Sequence, residues 1–319
     1  MRSLILLFLA MLLTSSGALG QTNRASIDEL TNSALQSLVV DSSARLESYR
    51  FFMEMEQKIE LVDLSSGEAQ KLYTRSVGYG LANMTDRALK LSMTSLTYAD
   101  GDEENSSAIA LEEYLINDTL YLKVDGGWTA LNMPGVADAG FSQSTMAQQL
   151  KIINQSRLSL IGSETVDGQD CYKVRAEMDM SMMADQLSEK TTALVPMLSM
   201  NYNELFRNMS LEVYYWISKD TLHLKKTDLV ETFRVTSQSL GLPANESMEM
   251  RINAEVSMLF GGFNESVNIS LPAEAKMAQP FPMGLLASIE AVPVVLAGNE
   301  TKLNETMPEN NTAQAATPA

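Results

Sequence analysis

One histidine, one cysteine and 21 methionines in 319 residues set the limits of what this chain can do chemically. A Ser-His-Asp hydrolase needs a histidine beside a presented serine, and no Gly-x-Ser-x-Gly turn is present to offer one. His223, in Thr221-Leu222-His223-Leu224, reads as an ordinary residue inside a strand. A zinc centre of the usual Cys/His spacing cannot be assembled from His223 and Cys171 alone. No Gly-rich phosphate loop of either common type occurs. Carboxylates are plentiful, and a glycosidase pair needs only two of them. Most, however, fall on the polar faces of alternating strands, where solvation accounts for them. No catalytic residue, metal-ligand set or cofactor is assigned, and the chain is read as a non-enzyme.

Methionine is the informative excess. Met53, Met55, Met93, Met178, Met180, Met248, Met250 and Met258 are assigned to strands, nearly all on the apolar phase. A tightly packed sheet usually takes Val, Ile or Phe there. Flexible, polarizable thioethers suit a surface that repacks around varied apolar ligands, and they equally fill an irregular core. Met178-Asp179-Met180-Ser181-Met182-Met183 also offers soft ligands of the kind Cu(I) takes. Strand alternation already explains that spacing.

The elements that would hold these residues follow from periodicity. Ser26-Ile27-Asp28-Glu29 has the form of a capping box, and Leu30, Ala34, Leu35 and Leu38 follow at helical spacing. From Tyr49 the period becomes 2: Tyr49, Phe51, Met53 and Met55 face one way, Arg50, Glu54 and Glu56 the other. Further strands are expected at 70–82, 87–98, 107–116, 120–124 and 128–131, separated by turn residues such as Asn117-Asp118 and Asp125-Gly126-Gly127. A helix through about Ile153 precedes strands at 158–166 and 172–180, joined by the hairpin signal Asp167-Gly168. A helical stretch over about 183–206 follows, then a hairpin, 211–217 and 222–233, turning at Lys219-Asp220. A last strand covers 248–260. Long hairpin-linked strands interrupted by helices predict one α+β domain with a single large antiparallel sheet.

The ends concern location. Arg2, the apolar run Leu4 to Leu13 and the small residues Ser15 to Gly20 form a secretory signal, with cleavage expected after Gly20. Its ten apolar residues are too few to span a bilayer, which takes about 20. No cysteine follows that run, so no acyl anchor is expected there. Asn-x-Ser/Thr sites begin at Asn83, Asn105, Asn117, Asn154, Asn208, Asn245, Asn264, Asn268, Asn299, Asn304 and Asn310, eleven of the 18 asparagines. Chance predicts roughly three, so exposure outside the cytoplasm and glycosylation are expected. A net charge of −17 argues against nucleic acid, whose phosphates want a basic patch. Domain organisation therefore reads as a signal peptide over 1–20, one domain over 21–276, and a flexible, sequon-rich tail over 277–319. Within that tail the apolar stretch 284–297 is too short to span a membrane; an interfacial helix at 285–296 is its sharper reading.

Four segments, in order and spacing, resemble the LolA/LppX superfamily of lipoprotein and lipid carriers (LolA-, LppX-, LprG- and RseB-type proteins). They are Ser48-Tyr49-Arg50-Phe51-Phe52-Met53-Glu54-Met55-Glu56, Leu160 to Tyr172, Tyr215 to Thr221, and Phe263 to Pro272. The resemblance covers about Ile27 to Ala275. It implies a large curved antiparallel β-sheet, a half-barrel, with helices covering the concave face over an apolar cavity. It also implies a partner that is a lipid or a lipid-modified protein, and association with the cell envelope. The cavity-lining residues would be Tyr49, Phe51, Met53, Met55, Leu91, Met93, Tyr172, Val174, Met178, Met180, Val213, Tyr215, Met250 and Ile252. The pattern contains no catalytic residue to carry over. A structural or adhesive envelope glycoprotein, or an envelope sensor, using the same fold without a transported ligand is the alternative.

Overall fold

The computed structural model describes residues 32–124, 126–132, 145–178, 208–236 and 248–280. The signal sequence, the helical stretch over 183–206, Met180 and the tail beyond 280 lie outside these residues.

Alternation of side chains builds most of the molecule. β1 (Ser48–Asp63), β2 (Ala69–Asn83), β3 (Ala88–Ala99), β4 (Ser107–Ile116), β5 (Thr119–Val124) and β6 (Gly127–Asn132) form one antiparallel meander. β7 (Arg157–Val166), β8 (Gln169–Glu177), β9 (Met209–Ser218), β10 (Leu224–Thr236) and β11 (Met248–Gly261) form a second. The meanders join through β1 and β11, with Phe51 opposite Phe260 and Ile59 opposite Ile252. A two-residue strand, β12 (Gln279–Pro280), pairs parallel to β6. The order is therefore β12-β6-β5-β4-β3-β2-β1-β11-β10-β9-β8-β7, twelve strands in one open sheet. Hairpin chemistry agrees with the turns read from sequence. Asp167 (φ 48°) and Gly168 (φ 72°) both take left-handed backbone, as a mirror-image two-residue turn requires. Asn117 (φ 54°) does so between β4 and β5.

Because β6 and β7 lie at opposite ends of the sheet, the chain joining them must cross a face. Helix α2 (Thr145–Gln155) lies in that crossing, and α1 (Asn32–Ser43) packs against α2 and β7. Leu35 and Val39 of α1, and Met146, Leu150 and Ile153 of α2, enter one core with Tyr49, Phe51, Val174, Val213, Tyr215 and Phe260 of the sheet. This face is called the inner face below. Polar ties fix the helices: the Gln36 side-chain amide donates to the Ile153 carbonyl at 2.6 Å, and the Ser42 hydroxyl to the Leu222 carbonyl at 2.7 Å. The Tyr215 hydroxyl donates to Gln149 Oε1 at 3.3 Å inside the core.

The expected first helix is present as α1, which runs to Ser43 with Leu35, Val39 and Ser43 buried. One expectation changes. His223 is not in a strand: Leu222 takes a left-handed φ of 59° and β10 begins only at Leu224. Ser218 and His223 instead close the β9–β10 connection, the Ser218 N–H donating to the His223 carbonyl at 3.0 Å.

Candidate ligand-binding face

Register turns the strands into rows that cross the sheet, with neighbours about 5 Å apart. One inner-face row reads Thr227, Met258, Met53, Gly78, Met93, Leu111, Val124. Two methionines, Met53 and Met93, thus flank a position without a side chain, and Met258 stands next to Met53 in the same row. A Cβ built on Gly78 would touch Met53 Cε at 3.4 Å and Met93 Cγ at 3.7 Å. The adjacent row reads Phe260, Phe51, Gly80, Leu91, Glu113, Leu122. There the Phe51 ring lies directly on Gly80, and any added Cβ would overlap its Cε1 and Cζ atoms. Toward the other end the face turns polar, with the row Glu231, Ala254, Gln57, Thr74, Thr97. Thr74 and Thr97 share a hydrogen bond of 3.1 Å, and Ser76 and Ser95 one of 2.8 Å.

The residues expected to line a cavity all sit on this inner side where they are described. Tyr49, Phe51, Met55, Val174, Val213 and Tyr215 belong to the core beneath the helices, each at most 4% exposed. Met53, Leu91, Tyr172 and Met178 are half-buried against that core, Met178 just beyond the end of β8. Met93 and Ile252 are buried on the same face. Met250 lies at its far end, opposite Leu61. Met180 is outside the described residues. A groove of about 370 Å³ opens on the opposite, outer face, where Phe52, Val77 and Tyr79 face Glu112 and Lys123 across Ser92 and Thr94.

The inner face also holds acids that alternation alone would have placed on the other side. Glu231 interrupts the apolar phase Leu229, Phe233, Val235 of β10 and is 4% exposed. Burial pushes its carboxyl up to about 7. Glu113 interrupts Ile109, Leu111, Leu115 of β4, and burial raises it as well. The signal was a charged residue in the apolar phase, legible in the sequence once each strand's phase is fixed.

Other reactive groups are quiet. Cys171 is fully buried, and burial raises its thiol above the ordinary range. His223 packs edge-on against the Phe263 ring at 4.9 Å, and burial, then Lys225, lowers its pKa, keeping it neutral. Among the described residues, no three His, Cys, Asp or Glu side chains cluster, and no helix is long and apolar enough to cross a membrane.

Sequons sit in different settings. Asn117, Asn154 and Asn268 are exposed, whereas the Asn83 amide donates to Asp86 at 2.8 Å and to the Val267 carbonyl at 2.9 Å.

Among solved structures, the chain is similar to lipoprotein LppX of Mycobacterium tuberculosis, at 15% identity over 75% of this chain and 100% of that one, with a TM-score of 0.37. LprF from Mycobacterium bovis is similar at 13% identity, 76% and 97% coverage, and a TM-score of 0.38. A LolA superfamily protein from Nitrosomonas europaea follows at 7% identity, 76% and 96% coverage, and a TM-score of 0.20. The superfamily that the sequence segments resemble thus recurs among the structural neighbours. No curated protein matches the chain. A family model matches residues 31–280, and the chain belongs to that family, described as a family of unknown function (DUF6612).

Proposed function

We propose that the chain is an extracytoplasmic, non-enzymatic binder or carrier of lipids or acyl chains, which lie against the inner face of the sheet. The observation that carries this reading is the row Met258, Met53, Gly78, Met93, in which two methionines flank the glycine. Unbranched thioethers on both sides of a missing side chain, with a third next in the row, can move aside together, so an acyl chain can enter without displacing backbone. Leu91, Leu111 and Leu122 extend the apolar surface across β3 to β5 while remaining half-buried. The N-terminal apolar run supports export, and the sequons support exposure outside the cytoplasm.

Native mass spectrometry of protein purified from its own host tests this through co-purified lipid. Met53→Asp should cut binding of an apolar fluorescent probe at least about tenfold, because an unpartnered charge would stand where the chain lies. The melting temperature should fall only modestly. If the variant unfolds and the wild type binds no probe, the methionines are ordinary core.

One observation favours a second reading, an envelope glycoprotein without transported ligand. Six of the expected cavity residues are closed beneath α1 and α2, as the packed core of a purely structural domain would be.

A further inference from the structure

Among the described residues, Glu231 and Glu113 are the carboxyls in the middle of the inner face. Among the described residues the other acids in the inner phase stand at strand tips: Asp63 at the end of β1, which Ser65 and Ser66 bond, and Asp170 at the start of β8, which Thr165 bonds. Lys225, at the bulge that opens β10, is buried with its Nζ 5.3 Å from the centre of the Phe263 ring and does not act on either acid. Around Glu231 the same-face neighbours are Leu229 and Phe233 along the strand, Leu211 on β9 and Ala254 on β11. Around Glu113 they are Leu111 and Leu115 on β4, Leu91 on β3 and Leu122 on β5. Among the described residues neither carboxyl meets a base, and burial alone sets the behaviour of both. A second, independent group on the same face also lacks a partner. Thr227 is fully buried four residues before Glu231, and its Oγ1 makes no hydrogen bond among the described residues. Buried polar atoms are normally satisfied, and an exception calls for a missing partner.

Building on the lipid-binding reading above, we infer that the inner face selects amphiphiles whose polar end donates hydrogen bonds, an amine above all and then a hydroxyl, and turns away anionic amphiphiles such as free fatty acids. Glu231 is the anchor for the donor, and Glu113 a second acceptor across the methionine row. An ammonium group supplies the counter-charge these two acids lack among the described residues, and a charge-assisted bond to a buried carboxylate is about twice as strong as a neutral one. A hydroxyl supplies a donor alone. A fatty-acid carboxylate supplies neither and adds a like charge in a poorly solvated space, where repulsion is weakly screened.

The test holds chain length fixed. Hexadecylamine, hexadecanol and hexadecanoate are titrated against the delipidated mature protein carrying a neutral fluorescent probe, at pH 7.5. The amine is expected to displace the probe at a concentration at least about tenfold below that of the carboxylate, with the alcohol between them. Glu231→Gln and Glu113→Gln should narrow the gap, mainly by improving hexadecanoate binding. Equal displacement by amine and carboxylate would overturn the selectivity and leave the lipid-binding reading standing. Failure of all three, with no probe bound, would overturn both.

Discussion

Replacing Glu231 by Gln should remove a loss of stability that the wild type suffers as the pH rises above mildly acidic values. The carboxyl is 4% exposed and burial moves it from 4.5 to about 7. The folded state therefore holds this proton more tightly than the unfolded chain does. For a raised acid the contribution to stability is fully present below the unfolded value, declines between 4.5 and about 7, and is lost above that. At about 1.4 kcal/mol per pH unit, ionising the buried group costs on the order of 3 kcal/mol by pH 8. Glutamine copies the shape and polarity of the protonated acid and cannot ionise. Its own unpartnered amide shifts the whole curve by a constant, so the pH-dependent difference is the quantity to read. Urea or thermal unfolding of delipidated wild type and variant should be measured from pH 4 to 8.5. The two curves should run parallel near pH 4 and diverge by roughly 5–10 °C in Tm at pH 8, at the 2–4 °C per kcal/mol usual for a domain of this size. A difference that stays constant with pH would show that Glu231 ionises freely, and the reasoning about the inner face would lose its main support.

Gly80→Ala forces a methyl group into the Phe51 ring and should destabilise by about 1–3 kcal/mol, as overpacking does. Adding Phe51→Leu should recover part of that loss, and a purely additive double variant would show the contact to be unimportant. Where the host glycosylates, peptide mass spectrometry should find Asn117 occupied, because it is exposed at a turn. Asn83 should stay bare, since its amide nitrogen is held by Asp86 and Val267; high occupancy there would contradict the hydrogen bonding described.

Period-2 alternation is a local property, and the long strands carry it plainly. Met248 to Phe260 and Tyr49 to Met55 were legible residue by residue, as was the turn at Asp167-Gly168. The pairing of β1 with β11 was not, because partners some 200 residues apart in sequence leave no local mark; the resemblance to a half-barrel superfamily suggested such a sheet without giving its order. His223 was placed in a strand because Leu222-His223-Leu224 looks like one. The left-handed turn at Leu222 is a backbone fact that an ordinary leucine does not announce.

The acids of the inner face show how a rule and its exception carry different information. Alternation says where a charged residue belongs, and for Glu54, Glu56 and Glu255 it is obeyed. Glu113 and Glu231 disobey it on strands whose neighbours leave no doubt about phase. A packed structural core gains nothing from an unpaired carboxyl and loses several kcal/mol once it ionises. Replacing either acid with leucine would cost such a core nothing in packing pattern, since leucine already fills the neighbouring positions Leu111, Leu115 and Leu229. An acid at such a position is better explained by a partner outside the described residues, and a bound amphiphile would be one. The same holds for the Thr227 hydroxyl beside the methionine row. Apolar rows would admit any acyl chain; the polar exceptions among them are what would tell one amphiphile from another.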